Sequence, residues 1–348
     1  AERAADQAIR QLPMGTAART EMLRLKIEAI LRMQQPDRAA FEFGDLAKFL
    51  SSPYPSRIAA LGIRIDLQNG KADRASKTLG NIYGDDPFRT SASIELDLAR
   101  LEYLLRYQAE EAGQWINAIE DRHGLYALRR AEAIATTFIE SRSPSGDLDA
   151  TLIAAQGRAR LRRKDTSGAA KLLSSAAGAE IDSQQAVTYA IEAAAAWIAA
   201  LRPDKAAKVL ISTSTAHSTS RQSAAAHFQA IHIFQTIDPD EVESLLRVQL
   251  EQWPRGPIAA QSRTWLQKIL HSENRFIDAA ELVCSLPVDE IDERALSDIS
   301  AAWRIAFHKS PNDSLNDLTR RFHQATQSLR DSPELRNDYR LLCLSLIH

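Results

Sequence analysis

The residues best suited to hold a charged ligand form a basic run at the end of one predicted helix. The run contains Arg158, Arg160, Arg162, Arg163 and Lys164. An arginine guanidinium can grip a carboxylate through two parallel hydrogen bonds, so the run is a candidate anion site. The alternative is a solvated helix end, where the helix dipole favours cations without any ligand.

Within this run, one helical stripe is the sharper candidate. Gln156, Arg160 and Arg163 follow each other at steps of four and three residues, which places them on one face of a helix predicted over 148–163. Arg129 and Arg130, on the helix before it, are candidates to face the same groove. We predict that these five residues bind a carboxylate of a partner. The alternative for Arg129 and Arg130 is ordinary surface charge.

The histidine and cysteine side chains are expected to have structural roles and not catalytic or metal-binding ones. His227 and His232 are five residues apart, which does not place them on one helix face, so we predict no metal site. The two cysteines, Cys284 and Cys343, lie in apolar helical stretches and are expected to be small buried side chains. Neither a glycine-rich phosphate loop nor a nucleophile elbow is present. We therefore predict no catalytic residue, no enzyme activity and no cofactor.

The elements that carry these residues repeat along the chain. Four similar segments align on one small or apolar residue, here called the slot: Ala169, Ala206, Val242 and Ala279, at intervals of 37, 36 and 37 residues. The same register continues to Ala39 and Ala75 upstream and to Leu315 downstream. A period of about 36 residues is typical of stacked helix pairs.

The residues around the slot repeat as well. A large apolar residue follows four positions later, at Phe43, Leu79, Leu173, Leu210, Leu246 and Val283. Nine positions before the slot the chain has Ile30, Trp197, Ile233 and Leu270, with Asp66 and Arg160 as exceptions. A small slot residue lets two helices approach, and its i+4 neighbour fills the groove on the same face. We therefore predict almost complete burial for the slot residues Ala39, Ala75, Ala169, Ala206, Val242 and Ala279, and for Leu79, Leu173, Leu210 and Leu246.

The opening of each second helix, as in the segment 203–210 (PDKAAKVL), resembles the tetratricopeptide family. The resemblance implies a right-handed solenoid of antiparallel helix pairs, whose concave face, built from the first helix of each pair, binds peptides or partner proteins. Trp197, Trp265 and Trp303 lie late in their helices, away from the family's first-helix signature, so other α-solenoids remain compatible. The tryptophans are expected to be core residues.

The repeat register slips once. Ala112 and Ala169 both fit the slot but are 57 residues apart, which is one period and about one further helix with its turn. We predict this extra helix near 124–141, in an N-terminal domain 1–141. A loop over 141–146 (SRSPSG) separates it from a C-terminal repeat domain 147–348.

Net charge and hydropathy limit the classes of partner that the sequence predicts. The 348 residues include 43 basic and 45 acidic ones, a net charge of −2, which argues against a nucleic-acid partner. The most apolar run, 193–201, is too short to cross a bilayer, so no membrane span is predicted. The chain begins without an initiator methionine, which is compatible with a fragment of a longer protein.

The sequence therefore predicts an all-α protein that serves as an interaction scaffold and binds a peptide or partner protein on its concave face. The alternative is a helical regulatory or enzymatic module whose chemistry lies in a segment outside this chain.

Overall fold

Two compact units of helices make up the protein, Ala1–Ala179 (unit 1) and Glu180–His348 (unit 2). The structure is a computed structural model that describes residues 2–13, 15–50, 53–141, 149–309, 315–332 and 335–347. Within these ranges there are twenty α-helices, two short 3-10 helices and no strand. The predicted all-α class is confirmed. The predicted loop lies from residue 142 outside the described ranges, and the boundary at 141–147 stays a prediction.

Unit 1 contains ten described helices: α1 (Glu2–Gln11), α2 (Ala17–Arg32), α3 (Pro36–Ala47), α4 (Ser56–Gln68), α5 (Ala72–Tyr83), α6 (Ile94–Tyr107), α7 (Ala109–His123), α8 (Leu125–Ser141), α9 (Ala150–Arg162) and α10 (Thr166–Ala179). Those that carry a slot residue, α3, α5, α7 and α10, are called second helices. The helix before each, α2, α4, α6 or α9, is a first helix.

Unit 2 continues the alternation with ten α-helices in its described part: α11 (Ser183–Ala199), α12 (Pro203–Ala216), α13 (Ser223–Ile237), α14 (Val242–Gln252), α15 (Gly256–Ser272), α16 (Phe276–Cys284), α17 (Glu293–Lys309), α18 (Leu315–Ala325), α19 (Gln327–Asp331) and α20 (Arg336–Ile347). The 3-10 helices are Pro239–Glu241 and Val288–Glu290. The first helices here are α11, α13 and α15. None of the described helices of either unit combines the length and the apolar composition needed to cross a membrane.

The slot residues lie at tight helix contacts, as predicted. Their exposure does not exceed 3% at Ala39, Ala75, Ala169, Ala206, Val242 and Ala279, and Leu79, Leu173, Leu210 and Leu246 are equally buried. The α9–α10 pair shows why small residues are needed. A β-carbon added to Gly157 would lie 2.9 Å from Leu173 Cγ and 3.3 Å from the Ala169 carbonyl oxygen. The side chain of the downstream slot residue Leu315 is outside the described part.

The turn inside a helix pair also repeats. The residue five positions before the slot has a left-handed backbone, with φ between 56° and 70°, at Gln34, Gly70, Lys164, Leu201 and Asn274. The next N–H bonds back across the helix end, as from Arg202 to the Trp197 carbonyl at 2.9 Å. This is a Schellman cap. The acceptor of this hydrogen bond is the backbone carbonyl of the residue nine positions before the slot. Because a backbone group accepts the bond, the side chain at that position can be polar, as at Asp66 and Arg160.

The extra helix predicted near 124–141 is α8. It packs against α6, α7 and α9. As a result, α8 and α9 both lie between the slot helices α7 and α10, where the other pairs have a single first helix. Within the described residues, two helices therefore lie between the helices of Ala112 and Ala169, whereas one lies between those of Ala75 and Ala112.

Candidate binding groove

The predicted anion site lies among carboxylates of its own unit. Arg158 Nη1 is 3.2 Å from Glu132 Oε1, and Arg162 Nη1 is 2.6 Å from Glu132 Oε2. Glu132, on α8, is almost fully buried. Two guanidinium groups thus compensate the cost of burying one carboxylate, and they join α8 to α9.

Two of the three residues of the predicted stripe form ion pairs of their own. Arg160 is 3.4 Å from Asp165, and Arg163 is 2.8 Å from Glu140. Gln156 is half-buried on the same helix. A ligand carboxylate would have to compete with these acidic neighbours, and the clamp stays a prediction.

The two arginines of α8 belong to a different surface. Arg130 is 3.9 Å from Glu95 on α6, and its guanidinium carbon is 6.0 Å from the centre of the Tyr126 ring. Arg129 is exposed. Arg57 on α4 also reaches Glu95, at 3.9 Å. The alternate helices α4, α6 and α8 of unit 1 are therefore bridged by ion pairs on this side.

A cluster of buried and partly buried polar side chains, here called the Asp97 centre, lies in the interior of unit 1. The fully buried Asp97 carboxylate accepts a hydrogen bond from the Tyr83 hydroxyl at 2.5 Å and lies 2.8 Å from His123 Nε2. Arg122 Nη1 is 3.2 Å from its Oδ2. The Trp115 indole N–H donates to the Asp97 carbonyl at 2.9 Å. Burial, and then the bond to Asp97, raise the pKa of Tyr83, so the hydroxyl keeps its proton.

Arginine side chains close this centre. Arg122 Nη2 donates to the carbonyls of Pro87 and Phe88, which fastens the connection before α6 to α7. The guanidinium carbons of Arg100 and Arg122 lie 4.7 and 4.8 Å from the centre of the Trp115 ring. Cations over an indole face are attracted by its quadrupole. The rings and charged groups of this centre face one another within the unit, which is the arrangement of a structural core.

An open groove of similar residue types lies in unit 2, between the first helices α13 and α15. Phe228 and His232 come from α13 and Trp265 from α15. The His232 and Trp265 rings are 4.9 Å apart with 31° between their planes, and Phe228 meets the His232 ring edge to face at 4.8 Å. His232 is exposed, and Phe228 and Trp265 are half-buried. We call this site the aromatic groove.

Helical spacing explains the lining that α15 supplies. Gln261, Thr264, Trp265 and Lys268 recur at steps of three, one and three residues, so they share one face. The opposite face packs inward through Ser262, Leu266 and Leu270, which are fully buried. Ala260 completes the groove, whose volume is about 440 Å³. This is within the usual range for small-ligand sites.

The charge of the groove is unbalanced. Its lining contains one cation, Lys268, and no carboxylate. Among the described residues, the Lys268 ammonium has neither an ion pair nor a hydrogen bond. The groove therefore offers an apolar aromatic wall with one unpaired positive charge beside it.

The sequence had suggested other roles for two of the groove residues. His232 was weighed as a metal ligand, and Trp265 was expected in the core together with the other tryptophans. Trp115 and Trp303 are fully buried, whereas Trp265 is not. The available signal was the aromatic i, i+4 pair Phe228 and His232 on a first helix. Which face of that helix would stay open depends on packing that the spacing alone does not reveal.

A buried histidine precedes this pair. The His227 Nδ1 is 2.8 Å from Gln249 Oε1, and both side chains are inaccessible to solvent. Burial lowers the pKa of His227, although the bond to Gln249 acts in the other direction. Its Nε2 has no protein hydrogen-bond partner within the described residues. In the same ranges, no group of three or more His, Cys, Asp or Glu side chains is placed to hold a metal ion.

Comparison with known proteins gives limited help. No protein-family model matches the chain, and no curated protein matches it. Among solved structures, the human IFIT1 dimer with m7Gppp-AAAA matches at 11% sequence identity, over 98% of this chain and 71% of that chain. Its TM-score is 0.23, and the match assigns no function to this protein.

The same match corrects one prediction. The chain's near-neutral charge led us to exclude a nucleic-acid partner, but the matched structure was solved with the capped oligonucleotide m7Gppp-AAAA. The exclusion is contradicted and is withdrawn. Net charge averages over the whole chain, so it does not describe the charge of a single site such as the aromatic groove.

Proposed function

We propose that this protein is an interaction scaffold that binds an extended segment of a partner protein in the aromatic groove. The observation that carries the proposal is an open wall of three aromatic rings, Phe228, His232 and Trp265, between the first helices α13 and α15. The resemblance to tetratricopeptide repeats supports it, because it implies that first helices line the binding face. Aromatic side chains are also the most frequent binding hot spots in protein interfaces.

The groove has the dimensions and the chemistry for a short peptide stretch. From Gln261 to Lys268 the α15 face is about 10 Å long, which corresponds to about three residues of extended chain. The rings can bury one large apolar side chain. The Gln261 amide provides a donor and an acceptor for the peptide backbone, and the Thr264 hydroxyl, which donates to the Ala260 carbonyl at 2.9 Å, provides an acceptor. These groups bind and orient a ligand, and none of the lining residues pairs a nucleophile with a base.

Peptide selection on the full chain tests this role. A phage library of random short peptides is panned on wild type, and the enriched peptides are then synthesised and titrated against Trp265→Ala. We expect affinity to fall about tenfold or more, since a central aromatic hot spot is removed. Phe41→Ala is the matched control, because it removes an exposed ring from unit 1 and should leave affinity unchanged.

Circular dichroism must show that both variants keep the wild-type helix content. If the enriched peptides bind wild type and Trp265→Ala equally, the aromatic groove is not the binding site and the proposal fails.

A further inference from the structure

We infer that the partner segment places a side-chain carboxylate within about three residues of its apolar anchor, where the carboxylate meets Lys268. This inference rests on the proposed function and adds the chemistry of the bound segment. The anchor is an aromatic or large aliphatic side chain held by the groove rings.

The charge pattern of unit 2 supports a ligand carboxylate. Three arginines of unit 2 already have acidic partners: Arg247 lies 2.8 Å and Arg275 2.6 Å from Glu243, and Arg321 lies 2.6 Å from Glu281. Lys268 differs from them, since it has no such partner in the described part of the chain. With no acid in the groove lining, an incoming carboxylate meets attraction there and no like charge.

The position of Lys268 sets the spacing between anchor and acid. Lys268 lies three residues after Trp265 and four after Thr264, so its side chain starts about one helical turn along the groove from the rings. A turn rises about 5 Å, and the flexible lysine stem adds reach. An extended peptide covers that span in two or three residues. The anchor and the acid can therefore engage together.

The number and type of groups favour a side-chain carboxylate over the alternatives. One ammonium is a point charge without the fork of donors that holds a planar terminal carboxylate bidentately. A nucleic-acid strand is usually followed by a series of cations along its phosphates, whereas this groove has a single one. The His232 and Trp265 rings also contact each other, which leaves less ring surface for a stacked base.

The composition of selected peptides tests the inference. Random peptides flanked on both sides by coat-protein sequence, and therefore without a free C-terminus, are panned on the full chain. For wild type we expect Asp or Glu to be enriched within three residues of an aromatic or aliphatic anchor. Lys268→Gln should lose that preference, and Lys268→Glu should reverse it toward Lys and Arg. Lys208→Glu, at an exposed lysine of α12 outside the groove, should select as wild type does.

Synthetic peptides give the size of the effect. An enriched acidic peptide should bind Lys268→Gln about two- to fivefold more weakly than wild type, the range for one exposed ion pair, and the difference should shrink at high salt. The matched peptide with Gln in place of Glu should bind wild type and Lys268→Gln equally. Loss of binding on amidating the peptide's C-terminus, with no effect of its side-chain acids, would overturn the inference in favour of a terminal carboxylate.

Failure of the inference and failure of the proposed function give different results. Peptides whose binding needs Trp265 but shows no acidic preference would refute the inference and leave the proposed function standing. Peptides that bind Trp265→Ala as well as wild type would refute both. If no peptide is selected, and a fluorescent oligoadenylate binds wild type but neither Trp265→Ala nor Lys268→Glu, the groove is a single-stranded RNA site and both proposals are wrong.

Discussion

The Asp97 centre of unit 1 and the aromatic groove of unit 2 use the same kinds of side chain. Each combines a tryptophan, a second aromatic ring, a histidine and a cation on neighbouring helices. In the Asp97 centre a carboxylate is present and the cations cover the ring faces, so the cluster is closed. The lining of the groove contains no carboxylate, and its rings are partly exposed to solvent. Residue type therefore does not distinguish the two clusters, whereas the presence of a carboxylate in one and its absence from the other does.

Removing the Asp97 carboxylate should lower the stability of the protein more than any other substitution proposed below, because the Asp97 centre depends on this group. Asp97→Ala leaves Arg122 beside a buried ring without its counter-charge, and it removes the acceptor of the Tyr83 hydroxyl. We expect a loss of about 3–5 kcal/mol in the free energy of unfolding, measured by urea titration with circular dichroism.

Asp85→Ala, at an exposed aspartate of the same unit, is the control and should change stability by less than about 0.5 kcal/mol. Equal stability of the two variants would mean that the Asp97 centre does not hold unit 1 together.

The core of unit 2 outside the groove is expected to be tightly packed around Leu210. Leu210→Ala removes a fully buried side chain of α12, and we expect a cost of about 2–5 kcal/mol by thermal or urea unfolding. Leu201→Ala, at an 87% exposed leucine in the preceding turn, is the control and should cost much less. If Leu210→Ala unfolds like wild type, the assigned repeat register is incorrect and the groove cannot be treated as a local opening in a packed unit.

A pH titration tests the buried polar pair that precedes the groove residues on α13. The pKa of His227 is lowered in the folded state, and the unfolded value is about 6.5. Below that pH the unfolded chain takes up a proton that the folded chain does not. Stability should therefore fall as the pH drops below about 6.5, by up to about 1.4 kcal/mol per pH unit, until the folded pKa is reached.

His227→Gln cannot titrate, so its stability should depend less on pH across the same window, and the difference between the two urea-derived profiles isolates this group. Parallel profiles would show that burial of His227 does not suppress its protonation.

The smallest effect is expected at the basic stripe predicted from the sequence. Arg160 and Asp165 form an exposed pair, so Arg160→Ala should change stability by about 0–1 kcal/mol. If the stripe does not bind the partner, this variant should also leave the affinity of selected peptides unchanged in a fluorescence titration. A drop in affinity that disappears at high salt would instead support the carboxylate clamp on Gln156, Arg160 and Arg163.

The burial of the slot residues was predictable from sequence because it depends on local spacing. A small slot residue with a large one four positions later fixes how two adjacent helices meet, and those side chains are buried where expected. The charged clusters were not predictable in the same way. Glu132 meets Arg158 and Arg162 across 26 and 30 residues of sequence, and Tyr83 meets Asp97 across 14. Such pairings depend on tertiary packing, which also decides that Trp265 stays partly open.

The proposed role of the aromatic groove is tested most directly by mapping where a selected peptide binds. Amide hydrogen exchange is measured on the full chain with and without saturating peptide. The account predicts slower exchange in α13 and α15, around His232 and Lys268, and no change in α6 and α7 around the Asp97 centre. Protection in α8 and α9 around Arg130 and Arg160, with α13 and α15 unchanged, would contradict it.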